Sequence, residues 1–173
     1  ISTDYVFSGE GKTARVETDP PSPVNVYGSS KLAGEKAVAE ANPRHLIVRT
    51  SWLYSPFGHN FVTTMLRLGG ERDELTVVDD QTGSPTYALD LAEALIAIAG
   101  QVVGRPEGDS VWGIYHLANS DTATWFDFAS EIFRQASGHG FNTPKLTPVT
   151  FDQFPTPAAR PATGWGRRSR RSA

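Results

Sequence analysis

Short β-branched or aliphatic runs alternate with longer stretches rich in Ala, Leu and Glu, and this alternation constrains the fold of the chain more than any other feature. VYGSSKLAGEKAVAEA, at 26–41, is made of helix formers and stops before Asn42-Pro43, which predicts a helix. HLIVRTSWLY, at 45–54, has a Leu46-Ile47-Val48 centre that predicts a short buried strand. Asn60 is placed to cap NFVTTMLRLGG, where Phe61, Met65 and Leu68 fall at helical spacing. LTVVDDQTGSPT, at 75–86, reads as a strand broken by a Gly-Ser-Pro loop. ALDLAEALIAIAG at 88–100 predicts a second strong helix, and GIYHLAN at 113–119 another buried strand. Thr124-Trp125-Phe126-Asp127 has the form of a capping box, with Asp for the usual Glu, opening a helix to Gln135. From Gly138 the chain turns rich in Pro and Thr, and ordered structure is not expected there. Strands alternating with helices, with no internal repeat, imply an α/β fold with a mostly parallel sheet.

A chain of 173 residues, 39% hydrophobic and 20% charged, can bury one sizeable core and is neither a disordered tail nor a fibre. It contains no cysteine, which excludes disulfides, Cys-based zinc sites and a Cys nucleophile. No apolar run approaches the roughly 20 residues of a membrane span, and no signal-peptide pattern heads the sequence; a cytoplasmic location is the expectation. The net charge of −3 is unevenly spread. Residues 160–173 carry five arginines and no acid, so 1–159 hold 11 basic residues against all 19 acidic ones. An acidic body of this kind argues against nucleic-acid binding.

Tyr27 and Lys31, in YGSSK, are four residues apart and share one face of the predicted helix. A phenol titrates near pH 10, too high for easy proton exchange at neutrality, and a neighbouring ammonium favours the phenolate. The pair would serve as a general acid or base for a carbonyl or alcohol, although this spacing also arises by chance on many helices. Thr3 and Asp4 lie at the inferred carboxyl end of a strand, where ligands bind in open α/β sheets. The Thr3 hydroxyl could hydrogen-bond a substrate oxygen or the Tyr27 phenol; alone, a strand-end threonine usually satisfies backbone.

STDYVF, YGSSKLAGE, RTSWLYSPFGHNFVTTML, DDQTGSPT, YHLANS and PTPAARP occur in this order from residue 2 to residue 161. Together they closely resemble the dTDP-4-dehydrorhamnose reductases of the extended short-chain dehydrogenase/reductase superfamily. YxxxK marks only the superfamily; STDYVF, RTSW and DQxGxPT are more specific. The resemblance implies a partial Rossmann-like, doubly wound sheet with an interleaved small substrate-binding α/β region. Residues 1–50 would complete the dinucleotide-binding domain, 51–162 would form the substrate-binding region with the last sheet elements, and 163–173 would be a disordered basic tail. It also implies reduction of a 4-keto sugar on a dTDP carrier by NADPH or NADH. Tyr27 would then donate the proton, Lys31 would lower its pKa and hold the nicotinamide ribose, and Thr3 would tune the tyrosine. Thr3 and Asp4 would contact the nucleotide sugar, and Trp52 would set an apolar indole face against the 6-deoxy sugar; the alternative for Trp52 is a core aromatic at a strand end.

The family pattern begins with a strand, a glycine-rich turn and a helix that hold the cofactor pyrophosphate. No GxxGxxG occurs here, so the expectation is a C-terminal portion that binds NADPH poorly alone. Two rivals stand beside the reductase: a non-catalytic NAD(P)-binding regulatory protein of the same fold, and an inactive truncated remnant. Gly9-Glu10-Gly11-Lys12-Thr13 is not a phosphate loop, because the glycine required five positions before Gly11 is Val6. His45, His59, His116 and His139 lack metal-ligand spacing, and His45 and His116 read as structural. Some relatives bind magnesium through a glutamate at the position of Leu89, here followed by Asp90, which leaves magnesium in doubt. Membrane and nucleic-acid partners are not expected; a homodimer is compatible with the sequence.

Overall fold

The computed structural model describes residues 1–11 and 13–154. Lys12, the PTPAARP motif and the basic tail therefore lie outside the described residues. Strand β1 (Ser2–Thr3) runs into a 3-10 turn at Asp4–Val6, and a long loop leads to helix α1 (Val26–Ala41). Then come β2 (Leu46–Thr50), β3 (Leu53–Tyr54), helix α2 (Phe61–Glu71) and β4 (Glu74–Val78). The Gly-Ser-Pro segment separates β5 (Thr82–Gly83) from β6 (Thr86–Tyr87), which leads directly into helix α3 (Ala88–Val102). The described chain continues through β7 (Gly113–His116), β8 (Ala123–Thr124), helix α4 (Trp125–Ser137) and β9 (Lys145–Val149).

The helix starts follow local chemistry. Asn60 and Thr63 close a reciprocal cap on α2, and the Thr124–Asp127 capping box opens α4 as its residues predict. Asn25 caps α1 by accepting from the Gly28 backbone N–H at 2.8 Å.

Strands β1, β2 and β7 form a parallel sheet in the order β1-β2-β7. Its register sets Ser2, Arg49 and His116 in one row and Thr3 beside Thr50 in the next. α2 and β4, from between β2 and β7, combine with α4 and β9, from after β7, in a second packing unit, in which β4 pairs with β9 in parallel and α2 and α4 pack over them. Met65, Leu75, Val77, Ala129, Ile132 and Phe133 form its buried core.

β9 corrects the expectation that order ends near Gly138. Pro148 pairs opposite Val77 although it has no N–H to give. The strand has β4 on one side and belongs to a two-stranded sheet, so a missing donor is tolerated at that edge. The Pro and Thr content that argues against structure in sequence is compatible with an edge strand in three dimensions.

Helix α1 docks in an unusual way. Its buried residues are Gly28 and Glu35, two turns apart on one face, rather than a row of aliphatic side chains. At Gly28 the helix backbone comes so close to the turn after β1 that an added Cβ would lie 2.1 Å from the Tyr5 carbonyl oxygen. At Glu35 a bidentate ion pair forms: Arg49 donates Nε to Oε1 at 2.9 Å and Nη2 to Oε2 at 2.6 Å. Ser2 adds its hydroxyl to Oε1 at 2.5 Å. Burial pushes the Glu35 carboxyl up, but Arg49 and Ser2 more than offset this and hold it below the usual carboxylate range.

Three outcomes are expected. Glu35→Ala strands a buried guanidinium and should cost about 3–5 kcal/mol, read by chemical denaturation. Because the folded pKa of Glu35 lies below its unfolded value, its contribution is present above about pH 4 and lost as pH falls through the folded value; a Glu35→Gln chain should lose less stability than the parent over that acid range. Gly28→Ala forces α1 off Tyr5 and should cost about 1–3 kcal/mol, seen as a lower thermal midpoint.

Candidate active site

The carboxyl ends of β1 and β2 finish side by side, because Thr3 pairs with Thr50. The first two turns of α1 face this edge. Between them opens a cleft of about 740 Å³, within the usual range for small-molecule sites. All five residues singled out in the sequence, Thr3, Asp4, Tyr27, Lys31 and Trp52, line it.

Tyr27 is 54% exposed and its ring stands edge-on to Tyr5 at 5.7 Å between centroids. Lys31 lies one turn along the same helix, and its Nζ donates to the Ile1 carbonyl at 2.7 Å. Thr3 is 7% exposed. Its hydroxyl donates to Asp4 Oδ1 at 3.0 Å and accepts from the Tyr5 backbone N–H at 3.3 Å. The contact to the Tyr5 backbone is the strand-end alternative weighed from sequence, and the Thr3 proton goes to its neighbour, Asp4.

Asp4 forms part of the rear wall rather than a projecting contact, at 5% exposure. Burial pushes its carboxyl up to about 7, against the hydrogen bonds from Thr3 and the local backbone, which pull the other way. It is therefore a group that changes charge near neutrality, at the back of a cleft lined by a phenol and an ammonium.

Trp52 occupies the corner between β2 and β3 with φ of 46°, a left-handed backbone that a bulky residue rarely adopts. The corner is held because Ser51 donates its hydroxyl to the Ser84 carbonyl at 2.9 Å and the Thr86 N–H donates to the Trp52 carbonyl at 3.1 Å. The Trp52 indole stacks on Trp125 at 3.5 Å between centroids and 8° between planes. Gly83 also lies against the ring: a Cβ there would come within 2.2 Å of Cε2 and 2.5 Å of Nε1. The core-aromatic and sugar-facing descriptions of Trp52 thus meet in one residue, which lines the cleft while packed on Trp125 and Gly83.

Trp125 and Gly83 were not legible as site residues. Trp125 reads as the residue after a helix cap, and Gly83 as a loop glycine; only the pairing of β5 with β8 brings both to Trp52. Asp90 beside Leu89 accepts from Asn119 Nδ2. Among the described residues no three His, Asp or Glu side chains gather as a metal would require. No helix among them is long and apolar enough to cross a membrane.

The family model described as the RmlD substrate binding domain matches residues 1–165. The chain is 49% identical over 162 residues to a dTDP-4-dehydrorhamnose reductase of Shigella flexneri, covering 92% of this chain and 53% of that protein. It is 43% identical over 162 residues to the spore coat polysaccharide biosynthesis protein SpsK of Bacillus subtilis, covering 94% of this chain and 53% of that protein. A crystal structure of the dTDP-4-dehydrorhamnose reductase of Bacillus anthracis in complex with NADP superposes with a TM-score of 0.85 at 42% identity, covering 97% of this chain and 56% of that one. At 18% identity and a TM-score of 0.69, the dTDP-glucose 4,6-dehydratase of the same organism shares the fold. The chain spans about half the length of the curated relatives it matches. With the match running from Ile1, just before β1, past the last described residue, the chain belongs to the RmlD substrate binding domain family.

Proposed function

We propose that this chain carries the proton-delivering and sugar-binding part of an NAD(P)H-dependent reductase that converts dTDP-4-dehydro-6-deoxy-L-mannose to dTDP-L-rhamnose. The observation that carries this is the convergence of Thr3, Tyr27 and Lys31 on one cleft at the carboxyl end of a parallel sheet. The names of the relatives and the NADP in the Bacillus anthracis crystal structure support the substrate and cofactor.

The residues present fit the riboside end of a nicotinamide cofactor. Tyr27 and Lys31 open onto the cleft from adjacent turns of α1, and a hydroxyl with an ammonium suits a ribose diol. No glycine-rich pyrophosphate turn occurs in the sequence. When bound, a reduced nicotinamide supplies hydride to a carbonyl carbon. Tyr27 gives its phenolic proton to the oxygen that gains charge, and Lys31 favours the phenolate left behind. Thr3 orients that oxygen or the phenol, and Trp52 offers apolar surface to a deoxygenated sugar carbon.

In a longer protein that joins this chain to a glycine-rich strand–turn–helix, keto-sugar-dependent NADPH oxidation is expected. Tyr27→Phe there should lower kcat by about 10²–10⁴, the usual worth of a general acid; normal turnover would overturn the assignment. Cofactor binding without turnover in the unsubstituted protein would favour the regulatory alternative. For the 173 residues alone, calorimetry should find no tight NADPH binding, and micromolar affinity would contradict this division of labour.

A further inference from the structure

Behind the cleft lies a second, far smaller cavity. It shares Asp4, Thr50 and Ser51 with the cleft wall, and Arg49 and His116 close its far side. Its volume is about 10 Å³, near the minimum that one water molecule needs. Six buried side-chain atoms have no hydrogen-bond partner among the described residues. Five of them belong to residues lining this cavity: Asp4 Oδ2, Arg49 Nη1, Thr50 Oγ1 and both ring nitrogens of His116. The parent residues are only 5%, 4%, 7% and 6% exposed. An unpaired buried polar group costs about 1–3 kcal/mol, and proteins meet such groups with internal water making two to four hydrogen bonds.

We propose that this cavity is a hydration site in which one internal water joins the Asp4 carboxyl, the Thr50 hydroxyl and the His116 imidazole, so that His116 acts through Asp4 as a positioning residue for Thr3.

One water has four hydrogen-bond positions for these five atoms, and because the two ring nitrogens of His116 point apart it meets one of them. Burial holds the His116 ring below the usual histidine range, so near neutrality it presents one N–H and one bare nitrogen. A water has two protons to give and two lone pairs to offer. It can take from His116 or Arg49 and give to Asp4, with Thr50 serving either way. Phe7 fixes the imidazole from the side, edge-on at 5.6 Å between centroids. The backbone N–H of His116 donates to Glu17 Oε1 at 3.0 Å, which anchors the end of β7.

The consequence reaches the cleft through a single proton. While Asp4 is a carboxylate it accepts the Thr3 hydroxyl proton, and Thr3 can only accept from a ligand. Once Asp4 takes a proton from solvent by way of the internal water, its own O–H can point at the water or at Thr3. Thr3 is then free to turn its proton into the cleft toward a carbonyl oxygen. The charged and titratable groups around this relay are Glu17 and the Arg15 backbone from the loop after β1, Glu35 from α1 and Arg49 from β2 beside His116 of β7, with Tyr5, Tyr27 and Lys31 on the cleft side of Asp4. Glu35 and Arg49 neutralise one another by their bidentate pair, which leaves Asp4 and His116 as the groups that titrate across the water.

The effect on Thr3 deepens the reductase proposal and rests on it; the hydration site does not, and it can be tested without turnover. The histidine rings of the full chain are followed by nitrogen–proton correlation NMR across pH 5–9, alone and with Asp4→Asn. In the unsubstituted chain the His116 ring should show a water cross-relaxation contact and an inflection near the pH where Asp4 titrates, about 7. Asp4→Asn, which preserves shape, should remove that inflection while the ring signals of His45, His59 and His139 stay in place as a check on the fold. Absence of a bound-water contact at His116 in the unsubstituted chain would overturn the hydration site, whatever the variant does. A His116 curve indifferent to Asp4→Asn in a folded variant would overturn the coupling. Should Asp4→Asn fail to fold, Thr50→Val serves instead, with loss of the water contact expected and its persistence contrary to the proposal.

Discussion

A carboxylate and a guanidinium withdrawn from water, Glu35 and Arg49, hold the helix that walls the cleft in place. α1 has little apolar surface to bury, and its two buried positions are a glycine and this glutamate. The helix is therefore located by a close backbone approach at one point and a charge pair at another, with Ser2 of β1 and Arg49 of β2 both bonded to Glu35. Such a pair contributes little net stability compared with an apolar substitute, yet it is costly to break from one side. It ties the first strand, the second strand and the helix into one geometry. Tyr27 and Lys31 project from that helix, so the direction of both depends on a contact two turns away.

The other wall of the cleft is set by strain and stacking. A left-handed tryptophan costs about 1–3 kcal/mol. The Trp52–Trp125 stack returns about 0.5–1.5 kcal/mol beyond simple burial, and the hydrogen bonds at Ser51 and Thr86 add to this. The kink lets Trp52, from the end of β2, reach a glycine of β5 and the first residue of α4. The parallel sheet and the inserted α/β unit are joined at this corner by aromatic contact, and the same corner forms part of the cleft. Rigidity where the ligand would sit follows from the side chains that join the two units.

Local chemistry made much of the fold readable. Asn60 and Thr124 announce their helices because caps act within three or four residues, and the 26–41 helix matches its composition to the residue. β9 was missed because Pro148 speaks against a strand locally, and only an edge position opposite β4 makes it acceptable. Glu35 sits in a run of Ala, Lys and Glu that looks solvent-facing, and nothing within the helix signals that Arg49 lies opposite. The Thr3 oxygen accepts from the Tyr5 backbone, as the strand-end alternative has it, and its proton goes to Asp4, a neighbour one residue away that no motif marks as its partner.

The alternation of strands and helices, the caps, and the residues Thr3, Asp4, Tyr27, Lys31 and Trp52 that line the cleft are all legible along the chain. These depend on neighbours along the chain or on motifs whose spacing survives in one dimension. The burial of Glu35, the confinement of Trp52 by Trp125 and Gly83, and the cavity that Arg49, Thr50 and His116 share with Asp4 emerge only once the chain is folded. The physical reason is common to all three. Desolvation and close packing arise from segments tens of residues apart, brought together by parallel strand register, and no local pattern records which side chains will meet there.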